Sequence, residues 1–223
     1  MRALGVVMLD TRFPRLRGDI GCAETFAFPV RYRVVRGAVP KRVVIEGDSS
    51  LLEPFIAAAR ALEVEGCVAI ATSCGFLALF QNEMQAAVGV PVWTSSLLLV
   101  AGVEATLPAG RRVGSGTADA ASLTAAHLAA AGAPVDAPIE GLDPDSAFHR
   151  TLLDNRRELD AAEARASPVA AAPRLVARHP NLGAIVLECT NMPPYADAVR
   201  AATGLPVHDI TTLIAARFGA RSS

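Results

Sequence analysis

The chain holds a single lysine, Lys41, among its 21 basic residues. An enzyme working through pyridoxal phosphate would have to build its Schiff base on that one side chain, which argues against such chemistry. An excess of one charge is missing as well. Lys+Arg 21 against Asp+Glu 22 leaves a net charge of -1, so no global field draws the chain to phosphate backbones or anionic membranes. No apolar run reaches the roughly 18 residues of a membrane span. The opening MRALGVVMLD meets Asp10 too early for a secretory leader, so the expectation is a cytoplasmic protein with neither nucleic-acid nor membrane partners. Four cysteines in 223 residues are too sparse for a disulfide scaffold, and free thiols are expected. Gly114-Ser115-Gly116 lacks the third glycine of a dinucleotide loop, which leaves phosphate or carboxylate cradling as an equal reading, and no P-loop is present. His127, His149 and His179 have no paired ligand spacing, so they read as surface residues and no metal is expected.

What is present is apolar: 52% of residues are hydrophobic and 19% charged, enough for a sizeable core and far from disorder. Apolar runs at 4–9, 42–45, 67–72, 91–94, 112–115, 183–187 and 206–209 alternate with helix-like segments. They lack strict alternation, as strands buried on both faces of a parallel sheet should. Ser50 with Glu53 reads as a capping box. Asp143-Pro144 and Ser167-Pro168 each read as a cap before a first-turn proline, so the Ala-rich stretch 143–178 reads as two helices.

A repeat becomes visible when 69–101 is laid on 184–216 without a gap. Ten of the 33 positions are identical, and they include Cys74 on Cys189, Gly89 on Gly204 and Pro91 on Pro206. Each copy sets a cysteine after a buried strand and before a helix, where α/β sheets present ligand-binding groups. Exposed N–H groups and the positive helix end at that position favour thiolate, so Cys74 and Cys189 are expected to be more acidic than Cys22 and Cys67, which read as small buried hydrophobes.

Around the two cysteines the residues resemble the aspartate/glutamate racemase superfamily, which also holds hydantoin racemases, maleate isomerases and arylmalonate decarboxylases. Glu188-Cys189-Thr190-Asn191-Met192-Pro193 looks like its Gly-Cys-Thr-x-x-Pro signature. Thr72-Ser73-Cys74-Gly75-Phe76 stands where the family carries Cys-Asn-Thr, and Asp10-Thr11 after the first strand resembles the acidic residue held near one cysteine. The resemblance implies an α/β fold of two pseudo-symmetric lobes, each a parallel sheet flanked by helices, with the active-site cleft between them. The first lobe would take 1–96 and, through a returning C-terminal helix, 211–223; the second would take 97–210.

It also implies cofactor-independent chemistry. Racemising at Cα needs a base on one face and an acid on the other, and two thiols from two repeats meet that demand. Cys74 and Cys189 are the expected catalytic pair. Charge developing on the carboxylate would be met by N–H groups of Gly75 and Thr190 and by hydroxyls of Ser73, Thr190, Ser95 and Ser96. Asp10, Thr117 and Asn191 complete the expected binding set, with Ser95 or Ser96 equally readable as a helix cap. Arg12, Arg15 and Arg17 form a loop that reads as a solvated face or a carboxylate clamp. The favoured reading is a racemase or epimerase of a small amino acid or related carboxylate, acting as a homo-oligomer, a dimer, without cofactor or metal. A Cys-dependent isomerase or decarboxylase of a dicarboxylic acid and a non-catalytic binding protein remain open.

Overall fold

Small and β-branched residues at Ala3–Met8 and Arg112–Thr117 form the inner strands of two parallel sheets in the computed structural model, which describes residues 2–219. The first half traces β1 (Ala3–Met8), β2 (Val30–Val34), α1 (Leu52–Val64), β3 (Cys67–Thr72), α2 (Gln81–Ala86), β4 (Val92–Trp93) and α3 (Val100–Glu104). The second traces β5 (Arg112–Thr117), α4 (Ala125–Ala130), β6 (Ile139–Gly141), α5 (Ala147–Leu153), α6 (Ala161–Arg178), β7 (Leu182–Leu187), α7 (Ala196–Thr203), β8 (Val207–His208) and α8 (Ile210–Gly219).

The sheets run β2-β1-β3-β4 and β6-β5-β7-β8, so one topology is used twice. The copy extends to register. Ala3 faces Cys67 and Leu4 faces Ala69 across the same irregularity by which Arg112 faces Leu182 and Val113 faces Ala184. Ile70 pairs with Val92 as Ile185 pairs with Val207. The repeat read at 69–101 and 184–216 is therefore β3 through α3 laid on β7 through α8.

The inner strands of each sheet are covered on both faces, which is why they lack an alternating polar face. Phe55, Ala59 and Leu62 of α1 share one cluster with Val7 and Ile70, while Ile210, Leu213, Ile214 and Phe218 of α8 pack with Leu4, Val6 and Trp93 on the other face. The last helix thus crosses back to the first sheet; of the returning stretch 211–223, residues 220–223 lie outside the described residues. Val113, Ala184 and Val186 of the second sheet join the cluster of Leu97 and Val100, so apolar packing is continuous between the halves.

Several local expectations give way. The run 42–45 is not a strand but part of a π-helical turn, Lys41–Ile45, following Pro40. Edge strands β2 and β6 were not anticipated: β2 alternates as VRYRV because it is half exposed, and β6 is three residues containing Glu140. The Ser50–Glu53 capping box is replaced by Asp48, whose side chain accepts from the Ser50 N–H. Helix α5 is capped by Ser146 rather than Asp143. Ser167-Pro168 lies inside α6, which starts at the Asp160 cap; Ser167 Oγ donates to Glu163 O one turn earlier. Gly114 and Gly116 sit within β5 instead of a cradling loop, and a Cβ on Gly114 would come within 2.9 Å of Leu175 of α6.

Candidate active site

Both β3 and β7 end at one cleft. Cys74 follows β3 in extended backbone (φ -154°, ψ 120°), and the chain then turns at once into a 3-10 helix, Gly75–Phe80. Cys189 follows β7 by way of Glu188. Both sulfurs line one small pocket. Its apolar wall comes from Leu9, Phe13, Val44, Phe76, Leu152 and Leu153, its polar wall from Thr11, Arg15, Ser73, Glu188, Thr190 and Asn191. Val44 belongs to the π-helical turn, so the segment misread as a strand supplies part of the cleft.

The thiols are not acidic in this cleft, contrary to expectation. Burial pushes Cys74 up to about 12, and the charge of Glu188 adds to it; the Phe76 N–H, Arg15 and the Leu77 N–H pull the other way and lose. Burial raises Cys189 well above the ordinary thiol value, with Glu188, Cys74 and Asp19 adding to it and only the Asn191 N–H opposing. The helix-start N–H groups do act as expected, but desolvation is the larger effect. Cys67 is also raised, chiefly by burial.

The expected binding residues divide by where their polar atoms go. Ser73, Gly75, Thr190 and Asn191 line the cleft with the thiols. Two hydroxyls are already used: Ser73 Oγ accepts from the Leu9 N–H at 2.9 Å, and Thr190 Oγ donates to Ser73 O at 2.6 Å, tying the loop of one cysteine to that of the other. Ser95 caps the 3-10 turn before α3 through the Leu97 N–H, and Ser96 Oγ donates to Leu187 O at 2.7 Å; neither lines the cavity, because backbone groups claim both hydroxyls. Asp10 turns outward instead, accepting from the Gly37 N–H and pairing with Arg36. Thr117 reaches Glu188, donating to Oε2 at 2.6 Å.

Arg15 and Glu188 are the residues that sequence reasoning underweighted. Arg15 is no solvated side chain: it lines the cavity, lies over the Phe13 ring at 4.7 Å, donates to Thr11 Oγ and both Asp19 oxygens, and keeps a buried Nε without a partner. Asp19 in turn accepts from Asn191 Nδ2 at 2.6 Å, and the Cys189 thiol donates to Asn191 Oδ1 at 3.8 Å, so one polar chain runs from Arg15 to the second sulfur. Glu188 is fully buried, and desolvation raises its carboxyl to about 7 against the lowering effect of Thr117. Its Oε1 has no partner, and a Cβ on Gly75 would overlap that atom. The signal for Glu188 was available: it stands where the resembled signature has glycine and where the first repeat has Ser73. His127, read as exposed, is buried; its ring closes a capping box with Thr124 and meets Phe76 edge-on. Among the described residues no three or more of His, Cys, Asp and Glu are grouped to hold a metal ion, and no helix is long and apolar enough to cross a membrane.

No family model matches the chain. It is 34% identical over 222 residues to a dimethylsulfoniopropionate lyase of Durusdinium sp. clade D, covering 93% of this chain and 71% of that protein. It is 32% identical to dimethylsulfoniopropionate lyase 7 of Emiliania huxleyi (strain CCMP1516), covering 94% of this chain but only 64% of that protein, so it spans less than two thirds of that relative's length. Among solved structures, a mutant of arylmalonate decarboxylase in a sulfate-associated form superposes with a TM-score of 0.60 at 19% identity over 92% of this chain and 87% of that one. A glutamate racemase isoform from Bacillus anthracis superposes with a TM-score of 0.58 at 15% identity over 98% of this chain and 80% of that one. These likenesses show the fold of the aspartate/glutamate racemase superfamily.

Proposed function

The chain belongs to the family of the dimethylsulfoniopropionate lyases, and from that premise we propose that it is a cysteine-dependent lyase acting on dimethylsulfoniopropionate or a close sulfonio carboxylate. Such a substrate is a zwitterion with a carboxylate at one end and a sulfonium leaving group at the other. A base takes the proton on the carbon beside the carboxylate, the C–H electrons become the C=C bond, and the C–S electrons leave with sulfur. The products are an acrylate, neutral dimethyl sulfide and one proton.

The observation that carries this reading is the presence, in one cleft, of two thiols and Arg15, whose Nε is buried without a hydrogen-bond partner and is the donor assigned here to the substrate carboxylate. As the proton leaves, negative charge moves onto that carboxylate, where a fixed guanidinium and the N–H groups at the Cys74 helix start stabilise it. The sulfonium suits the rings of Phe13 and Phe76. Its arrival also addresses the raised thiol: a positive charge within about 4–6 Å favours the thiolate by 1–3 pKa units. Cys74 is the base in this reading, because two N–H groups and Arg15 already favour its ionised form, whereas Glu188, Cys74 and Asp19 all disfavour that of Cys189. Cys189 stays protonated and donates to the developing charge.

Racemisation by two opposed thiols is kept as a second reading because both sulfurs line the same cavity. One experiment separates the two. Incubation with dimethylsulfoniopropionate should release dimethyl sulfide into the headspace, while amino acids and 2-substituted carboxylates in D2O should gain no deuterium at Cα. Deuterium uptake from both enantiomers without sulfide release would replace the lyase with the racemase.

A further inference from the structure

The elimination leaves Glu188 without a task, although it is a carboxyl wholly buried in the cleft. Thr117 donates to Oε2, and Oε1 has no partner. Oε1 lies against Gly75, next to Cys74, while the peptide bond joins Glu188 to Cys189, and its charge is felt by both thiols. The titratable and charged groups around it are those two thiols, with Arg15 and Asp19 facing them from the loop after β1. In the first repeat the matching position is Ser73, which spends its hydroxyl on the backbone. The two halves thus differ at the residue before the thiol.

A proton balance gives this asymmetry a meaning, on the lyase reading above. Racemisation replaces the proton it takes with another and releases none overall, so a site built for it needs no net exit. Elimination from a sulfonio carboxylate turns a molecule of zero net charge into an anion, a neutral sulfide and a proton. The thiol that served as base is therefore left protonated after every turnover, in surroundings that hold the proton on sulfur. We propose that Glu188 is the proton relay of the cleft: once the next sulfonium has lowered the reacting thiol, water admitted as the sulfide left carries the thiol proton to the free Oε1, regenerating the thiolate, and Glu188 returns that proton to solvent. No co-reactant is needed, since the proton ends in solvent. Glu188 acts through the thiol and not on the substrate. Its carboxyl, raised by burial to about 7, sits near neutrality, where a relay both accepts and releases a proton.

The test is the pH dependence of dimethyl sulfide release in wild type, Glu188→Gln and Thr117→Val. Gln keeps the shape and still accepts from Thr117 but takes up no proton. Its kcat should fall by about 10²-fold or more with KM nearly unchanged, and the acid limb of the wild-type kcat profile near neutrality should vanish. Val removes the hydrogen bond that lowers the Glu188 pKa, so its acid limb should move to higher pH; this variant decides the matter if Glu188→Gln does not fold. A wild-type kcat and acid limb in folded Glu188→Gln, or an unmoved limb in Thr117→Val, would overturn the relay while leaving the lyase standing. Absence of sulfide from the wild type would overturn the lyase and the relay together.

Discussion

At the residue scale three side chains of the cleft, Cys74, Cys189 and Arg15, have different duties. Cys74→Ser keeps the shape but replaces the thiol with a hydroxyl too weakly acidic to serve as a base, so sulfide release should drop below about 1% of wild type. Cys189→Ser keeps a donor and should lose less, whereas Cys189→Ala should cost about 10²–10³-fold, the usual effect of removing a charge-stabilising donor. A two-base racemase would make the two serine variants equally dead, so comparing them by headspace assay is informative. Arg15→Lys keeps the charge but loses Nε and the planar fork; KM should rise about tenfold or more with a smaller effect on kcat. The cysteines were legible because the repeat sets Cys74 on Cys189 beside shared Gly and Pro. Their protonation was not legible, because helix-start N–H groups show in the sequence while the depth of burial does not. Arg15 was seen only as one of three loop arginines, since its place over Phe13 depends on how the loop folds back against the second half.

At the scale of elements, the long helix α6 carries Pro168 and Pro173 in its interior and still runs unbroken to Arg178. Part of its stability is local: Asp160 Oδ1 accepts from the Ala162 and Glu163 N–H groups at 2.8 and 3.1 Å. Asp160→Ala should cost about 1 kcal/mol, which in a chain of this size lowers Tm by about 2–4 °C, measurable by thermal melting, with catalysis unchanged. The rest is packing, with Leu175 lying where Gly114 leaves room on β5. Buried strands were read nearly to the residue, β3 in full, because both faces are apolar. Edge strands and caps were missed where physics is less local: β2 alternates because only one face is covered, and the choice between Ser50 and Asp48, or Ser167 and Asp160, depends on where each chain segment enters its sheet.

At the scale of the molecule, two copies of one topology close on a cleft held together by hydrogen bonds from Ser96 to Leu187 and from Thr190 to Ser73. Burying Glu188 there has a signature in stability. The folded chain holds its proton more tightly than the unfolded one, so this contribution is fully present below the unfolded carboxyl value of 4.5 and is lost as pH rises through about 7. At 1.36 kcal/mol per unit, the loss reaches about 3 kcal/mol. Wild type should therefore melt several degrees lower at pH 8 than at pH 5 through this group, and Glu188→Gln should show a flatter dependence. On the proposed function, this fold, with its two thiols and Arg15, expels a sulfide from a sulfonio carboxylate. Proton NMR of dimethylsulfoniopropionate incubated with the wild-type chain and with Cys74→Ser tests it most directly. Vinyl protons of acrylate should grow in step with dimethyl sulfide for the wild type and be absent for Cys74→Ser; unchanged substrate with the wild type, or equal acrylate from both proteins, would contradict it.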